Sequence, residues 1–242
     1  MKIFQWIYTL YAAVLFVLLM LIFGLFIIIP LVVSPRGGKV SFIFIRLWAS
    51  VWSFLVGIRY QVQGREYIDP NQTYIYIFNH RSFIDAPVIP MAIRQEVRAI
   101  GKKELSKIPV FGLIVSRVAV WVDRKNAASR KASVEKLLKI LQNGISIVVA
   151  PEGTRNDTGQ ALLPFQKGAF RIAAETGIPI MPMAVIGADR IMKRGSLLMQ
   201  PGKVNIYFSS PIATASYTGE EGYIKLTERC FNRLEAMILT HE

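Results

Sequence analysis

The chain has 242 residues, 52% of them hydrophobic, and a formal net charge of +13. Its one cysteine, Cys230, excludes an intramolecular disulfide and a cysteine-built zinc site. A basic balance calls for anionic partners, and so apolar an N-terminus points to membrane phosphates rather than nucleic acid.

Ile3–Val33 is apolar almost throughout, broken by Gln5, Thr9, Gly24 and Pro30. A helix of that length is long enough to cross a hydrocarbon core about 30 Å thick, and the run is too long for a signal peptide. Ser34-Pro-Arg-Gly-Gly-Lys39 reads as a turn, and residues 40–57 as a second apolar helix carrying Trp48, Trp52 and, near its middle, Arg46. A guanidinium at mid-bilayer costs at least about 2.5 kcal/mol, and a double crossing would put Arg36 and Lys39 outside, against the positive-inside tendency. The second helix is therefore expected near the headgroups. Whether the first spans or enters one leaflet is left open. No acidic residue precedes Glu66.

Beyond residue 58 the pattern changes. β-rich runs at 74–78, 118–122, 145–149, Ile180–Ile186 and 204–208 alternate with helical stretches. Ala127–Gln142 repeats Val134, Leu137, Leu138 and Leu141 at helical spacing and stops at Asn143-Gly144; residues 165–176 and 220–239 read as further helices. The expectation is a mixed α/β fold, a sheet with helices packed on it, over 59–242, preceded by a helix–turn–helix membrane anchor over 1–58.

Serine elbows, Walker loops, dinucleotide fingerprints and H-E-x-x-H are all missing, which argues against covalent serine catalysis, nucleotide hydrolysis and zinc chemistry. Two constellations remain. In Asn79-His-Arg-Ser-Phe-Ile-Asp85, one of only two histidines stands five positions before an aspartate, and Asp85-Ala-Pro87 looks like a helix start. With a turn between them, Asp85 can accept from one imidazole nitrogen and leave the other to take a proton. A satisfied histidine at a strand end is the competing reading. The second histidine, His241, is expected to be solvent-exposed. Ala150-Pro-Glu-Gly-Thr-Arg155, after a strand-like run, is a possible anion site, with Lys167 and Arg171 adding charge; a solvated loop competes with it. The basic tract between Arg94 and Lys131, with Lys102 and Arg124, reads as a solvated or membrane-facing surface.

Taken in order, NHRSFID, GKKELSKIPVFG with WVDRKN, APEGTR with LLPFQKGAF, and GIPIMPMAV resemble the four blocks of the 1-acylglycerol-3-phosphate (lysophosphatidate) acyltransferases. The resemblance runs from about residue 74 to 190 and leaves the anchor and the last fifty residues uncovered. It implies His80 as general base and Asp85 as its partner. It further implies Glu152, Gly153, Thr154 and Arg155 around the glycerol phosphate, with Arg124 and Lys102 in support. The implied partners are membrane lipids, lysophosphatidate and acyl-CoA or acyl-carrier protein, with no metal or cofactor and no nucleic acid. The Arg and Lys residues put the catalytic domain on the cytosolic face, and the expected location is the inner (cytoplasmic) membrane. Two alternatives stand beside it: a related acyltransferase acting on glycerol-3-phosphate or another lysophospholipid, and a non-catalytic membrane-bound lipid-binding adaptor.

Overall fold

The computed structural model describes residues 2–34, 37–123 and 126–242. Helices α1 (Lys2–Val33) and α2 (Gly38–Leu55) lie antiparallel, stapled by Trp52 Nε1 donating to the Ala12 carbonyl (2.9 Å), Ser41 Oγ to Ile27 O (2.7 Å) and Tyr8 OH to Val56 O (2.5 Å). Ala12 is fully buried at the crossing, where only a small side chain lets the backbones approach.

Strand β1 (Ile58–Gln63) follows, then β2 (Ile75–Phe78), α3 (Asp85–Ala92), β3 (Val97–Lys102), α4 (Phe111–Val115) and β4 (Ala119–Val122). The chain continues through α5 (Ala127–Gln142), β5 (Ser146–Val149), α6 (Gly168–Thr176), β6 (Ile180–Ile186), α7 (Ala188–Ile191), β7 (Gly202–Phe208) and α8 (Gly219–His241). Among the described residues the strands form one sheet in the order β1-β7-β6-β2-β5-β3-β4. Only the β6–β7 pairing is antiparallel, so β1 and β7 run against the other five and the sheet is mixed, as expected.

The core follows from strand alternation. Tyr76 and Phe78 face a layer containing Trp52, Val88 and Ala12 from α2, α3 and α1, whereas Ile75 and Ile77 face Leu137, Phe170 and Leu226 from α5, α6 and α8. β2, β5 and β6 are buried along their whole length because both faces are covered. α8 buries one stripe, Leu226, Cys230, Leu234 and Ile238, at four-residue spacing. α5 starts where the Asn126 side chain accepts from Ser129 N (3.1 Å) and ends before Gly144, whose φ of +73° suits glycine.

Two strands lie outside the expected set, β1 and β3. α6 begins at Gly168 rather than 165, because the Gln166 amide bonds the Pro151 carbonyl (2.8 Å) and holds that segment against the loop after β5. The helix pair is not a detached stalk: Ala12, Phe42 and Trp52 belong to the same core as the sheet. The outer face of α1 remains uncovered, with Ile3, Leu10, Leu18, Leu21, Leu25 and Val32 exposed, and both helices are long and apolar enough to cross a membrane.

Candidate active site

The site forms at the carboxyl ends of β2 and β5, where parallel strands deliver two loops side by side. As the chain leaves β2, Asn79 is buried and acts like one more strand residue: its Nδ2 donates to Val185 O (2.8 Å) and its Oδ1 accepts from Val185 N (2.7 Å). His80 follows, its backbone held on both sides. Its amide donates to Glu152 Oε1 (2.8 Å), and its carbonyl accepts from Asn156 N (2.6 Å). The loop after β5 therefore fixes the turn after β2.

The chain then turns so that Asp85, the first residue of α3, comes back to the imidazole. His80 Nδ1 and Asp85 Oδ2 are 2.7 Å apart. The same oxygen accepts from the amides of Arg81 and Ser82, each at 3.1 Å. An oxygen already receiving two amide hydrogens is an acceptor, so Nδ1 donates and Nε2 presents a free lone pair. The aspartate side chain is 2% exposed and the histidine 28%, which leaves the imidazole reachable from outside and its partner sealed. Ser82 locks the turn by donating Oγ to Met192 O (2.7 Å) and accepting from Ile84 N (3.2 Å). Such an arrangement can take a proton from a bound hydroxyl and hold the resulting imidazolium.

Arg155 reaches the same place from the other loop. Its guanidinium lies 3.7 Å over the ring of Phe83, which itself stands between His80 and Asp85 in the chain. Burial lowers the Arg155 pKa, as does the neighbouring charge of Arg194, against smaller opposing effects of Asp85 and Asp157. Arg194 Nη1 also bonds the Arg155 carbonyl and Asp157 Oδ1, the latter at 3.1 Å. Two guanidiniums by the Phe83 turn form a corner that can hold an anion.

Glu152 is held between the two loops. It is buried, with Oε1 on the His80 amide and Oε2 on the Leu163 amide (2.9 Å), so both oxygens hold protein backbone. Burial raises its pKa, with the two amide bonds and the charges of His80 and Arg81 pulling the other way. Gly153 adopts φ +73° in a turn closed by its amide on Ala150 O (3.0 Å), and Thr154 is exposed beside it. Lys102 ends β3, beyond β5 at the same edge of the sheet, with Nζ 3.3 Å from Glu104 rather than against His80. Arg124 lies outside the described residues. Arg171 pairs with Glu175 (2.7 Å) and feels Tyr223 and Glu220 at the start of α8. Because the far end of α8 reaches Arg81, this puts Arg171 away from the site, not in the anion corner.

Arg81 and Arg194 also belong to the site, though neither was expected there. Arg81 gathers distant segments around the His80 turn: Nη2 donates to the carbonyls of Gln160 and Ala161 (both 3.2 Å), and Nη1 pairs with Glu242 and lies 3.9 Å from Asp189. Local spacing carried no signal of these contacts. His241 is exposed, as expected, but stacks on Tyr207 at 3.6 Å between centroids.

A family model described as Acyltransferase matches residues 59–186. The 1-acyl-sn-glycerol-3-phosphate acyltransferase of Cocos nucifera is 33% identical over 170 residues, covering 69% of this chain and 54% of that protein. The enzyme of the same name from Haemophilus influenzae is 32% identical over 166 residues, 68% of each chain. This chain spans about half the length of several plant relatives, 48% in the case of a chloroplastic Brassica napus protein. A crystal structure of the 1-acyl-sn-glycerophosphate acyltransferase of Thermotoga maritima shares the fold, with a TM-score of 0.85, 24% identity, and coverage of 100% of this chain and 98% of that one.

Proposed function

From the premise that this chain belongs to the Acyltransferase family, we propose that it transfers a fatty acyl group from an acyl thioester to the sn-2 hydroxyl of a lysophosphatidate, giving phosphatidic acid. The observation that carries this reading is the His80 Nδ1–Asp85 Oδ2 contact of 2.7 Å, which leaves Nε2 free on a turn whose Phe83 ring lies under the Arg155 guanidinium.

In this mechanism Nε2 of His80 removes the hydroxyl proton as the oxygen attacks the thioester carbonyl. The tetrahedral oxyanion collapses, the C–S bond breaks, and the thiolate leaves with the proton returned from the imidazolium. No acyl-enzyme forms, because the acceptor alcohol stands where a protease has its serine. Asp85 keeps the proton on Nδ1 and balances the imidazolium charge. Of the amides around the start of α3, those of Arg81, Ser82, Ile84, Asp85 and Ala86 have acceptors within the protein. The Phe83 amide has none among the described residues, and we assign it to the oxyanion. Arg155 grips the acceptor phosphate, with Arg194 adding positive charge behind it, while Glu152 and Gly153 shape the loop that carries it. By the same family resemblance, Lys102, at the end of β3, and Arg124 complete the substrate-binding set. The donor is acyl-CoA or acyl-carrier protein.

The anchor of residues 1–58 holds the catalytic domain of residues 59–242 at the cytosolic face of the inner membrane, with the exposed apolar face of α1 in lipid. The test is thiol release from an acyl thioester by the purified full chain, measured with lysophosphatidate, glycerol-3-phosphate and other lysophospholipids in turn. Release dependent on lysophosphatidate supports the proposal, and release that ignores it contradicts the acceptor assignment.

A further inference from the structure

We propose that Arg46, Arg65 and Arg94 form a second anion site, one that takes the phosphate of an anionic phospholipid headgroup. Arg65 follows β1, which runs against β2, so the site lies at the end of the sheet opposite His80, beyond the eight residues of α3. It is separate from the Arg155 corner.

Arg65 is fixed in place: Nη2 donates to Met91 O (2.7 Å) and Nε to Ala92 O (3.4 Å), at the carboxyl end of α3 where a cation is favoured. Met91 packs in one cluster with Trp48 and Ala49 of α2, and Arg94 follows Ala92 by two residues, so the Arg94 and Arg46 charges both bear on Arg65 and add to the effect of burial in lowering its pKa. Arg46 sits on α2 between Phe42 and Ala49, both buried, and its own Nε is buried with no hydrogen-bond partner. None of the three arginines has a carboxylate within 4.0 Å among the described residues. Glu96, the nearest acid along the chain from Arg94, is paired with Arg98 at 2.5 Å.

Like charges brought together without a counter-charge are costly unless an anion completes the set, and guanidiniums suit phosphate oxygens geometrically. The position selects which anion. Arg46 emerges from the helix whose Val40, Ile43 and Leu47 are exposed as an apolar face, so the groups that reach it are those of the headgroup layer. A helix that enters lipid on one face and offers a guanidinium to headgroups on its flank sets both depth and rotation of the molecule.

This inference rests on the placement of α1 and α2 in a membrane and is independent of the catalytic assignment. Retention of the wild-type chain in salt-washed membranes tests that placement separately. The direct test uses the purified full chain in neutral detergent micelles doped with either phosphatidylcholine or phosphatidylglycerol, which the proposed reaction neither consumes nor forms. Thermal unfolding is followed by intrinsic fluorescence. Phosphatidylglycerol should raise the Tm over phosphatidylcholine by on the order of 5 °C, the shift given by a ligand well above its Kd. The double variant Arg46→Gln/Arg94→Gln should lose most of that gain while melting no lower than wild type in phosphatidylcholine, because a like-charge repulsion is removed. Arg65 is left intact for its contacts with α3. Inorganic phosphate should not reproduce the gain. Four results would each overturn the proposal: no gain in wild type, the gain kept in the double variant, the same gain from inorganic phosphate, or a double variant that is less stable in neutral micelles.

Discussion

Replacing Glu152 by Gln separates a residue that touches substrate from one that builds the site. Both carboxylate oxygens accept backbone amides, from His80 at 2.8 Å and Leu163 at 2.9 Å. A glutamine carbonyl keeps one of these bonds, and the NH2 group then faces the other amide, donor against donor. One charge-assisted bond is lost, worth about 1.5–3 kcal/mol, and a buried N–H is left unpaired. Burial already raises the Glu152 pKa, so part of that gain is offset by desolvation, and we expect a net loss of about 2 kcal/mol. For a chain of this size that lowers the Tm by roughly 4–8 °C. Because the bond to the His80 amide fixes the turn that aims the imidazole, kcat should fall along with stability, while KM for lysophosphatidate stays within about twofold. Thermal unfolding in detergent and steady-state acyl transfer read the two quantities. An unchanged Tm with a raised KM would refute this reasoning and return Glu152 to direct contact with the acceptor.

Arg155→Ala should raise KM for lysophosphatidate about 10- to 150-fold, the equivalent of one charge-assisted contact, with less effect on the thioester; equal losses for both substrates would move Arg155 off the acceptor phosphate. Arg155→Lys should recover little of this, since an ammonium lacks the fork and the flat face that lies over Phe83. Cys230 is buried, and desolvation pushes its thiol up to about 12, so alkylation at pH 8 should require unfolding. Rapid modification of the native protein would show that α8 opens from α6 and the sheet. High salt should leave the full chain on membranes and detergent should release it, because apolar area rather than screened charge holds it there; release by salt alone would contradict the anchor.

What was legible in the chain, and what was not, has physical causes. β6 and α5 were found with the bounds they have, one as a β-rich apolar run, the other through its helical spacing of Val134, Leu137, Leu138 and Leu141 and its Asn-Gly stop. β1 was missed because it is an edge strand with polar Arg59, Gln61 and Gln63 on its open face, directly behind an apolar helix. β3 was missed because Arg98 and Lys102 made it look like part of a basic surface tract. The His80–Asp85 pair was readable since a turn of five residues is local. Arg194 on the Arg155 carbonyl and Glu242 on Arg81 join residues far apart in the chain, and only the order of strands brings them together.

The most direct test of the account is single-turnover and steady-state thiol release with lysophosphatidate by the wild-type chain and by His80→Asn. Asn is close in size to the imidazole, so the turn should survive, as the retained Tm would verify. A general base contributes on the order of 10²–10⁴-fold, and the variant should lose rate in that range with lysophosphatidate binding intact. A folded His80→Asn protein that retains a tenth of wild-type turnover would contradict the assignment of His80 as the base.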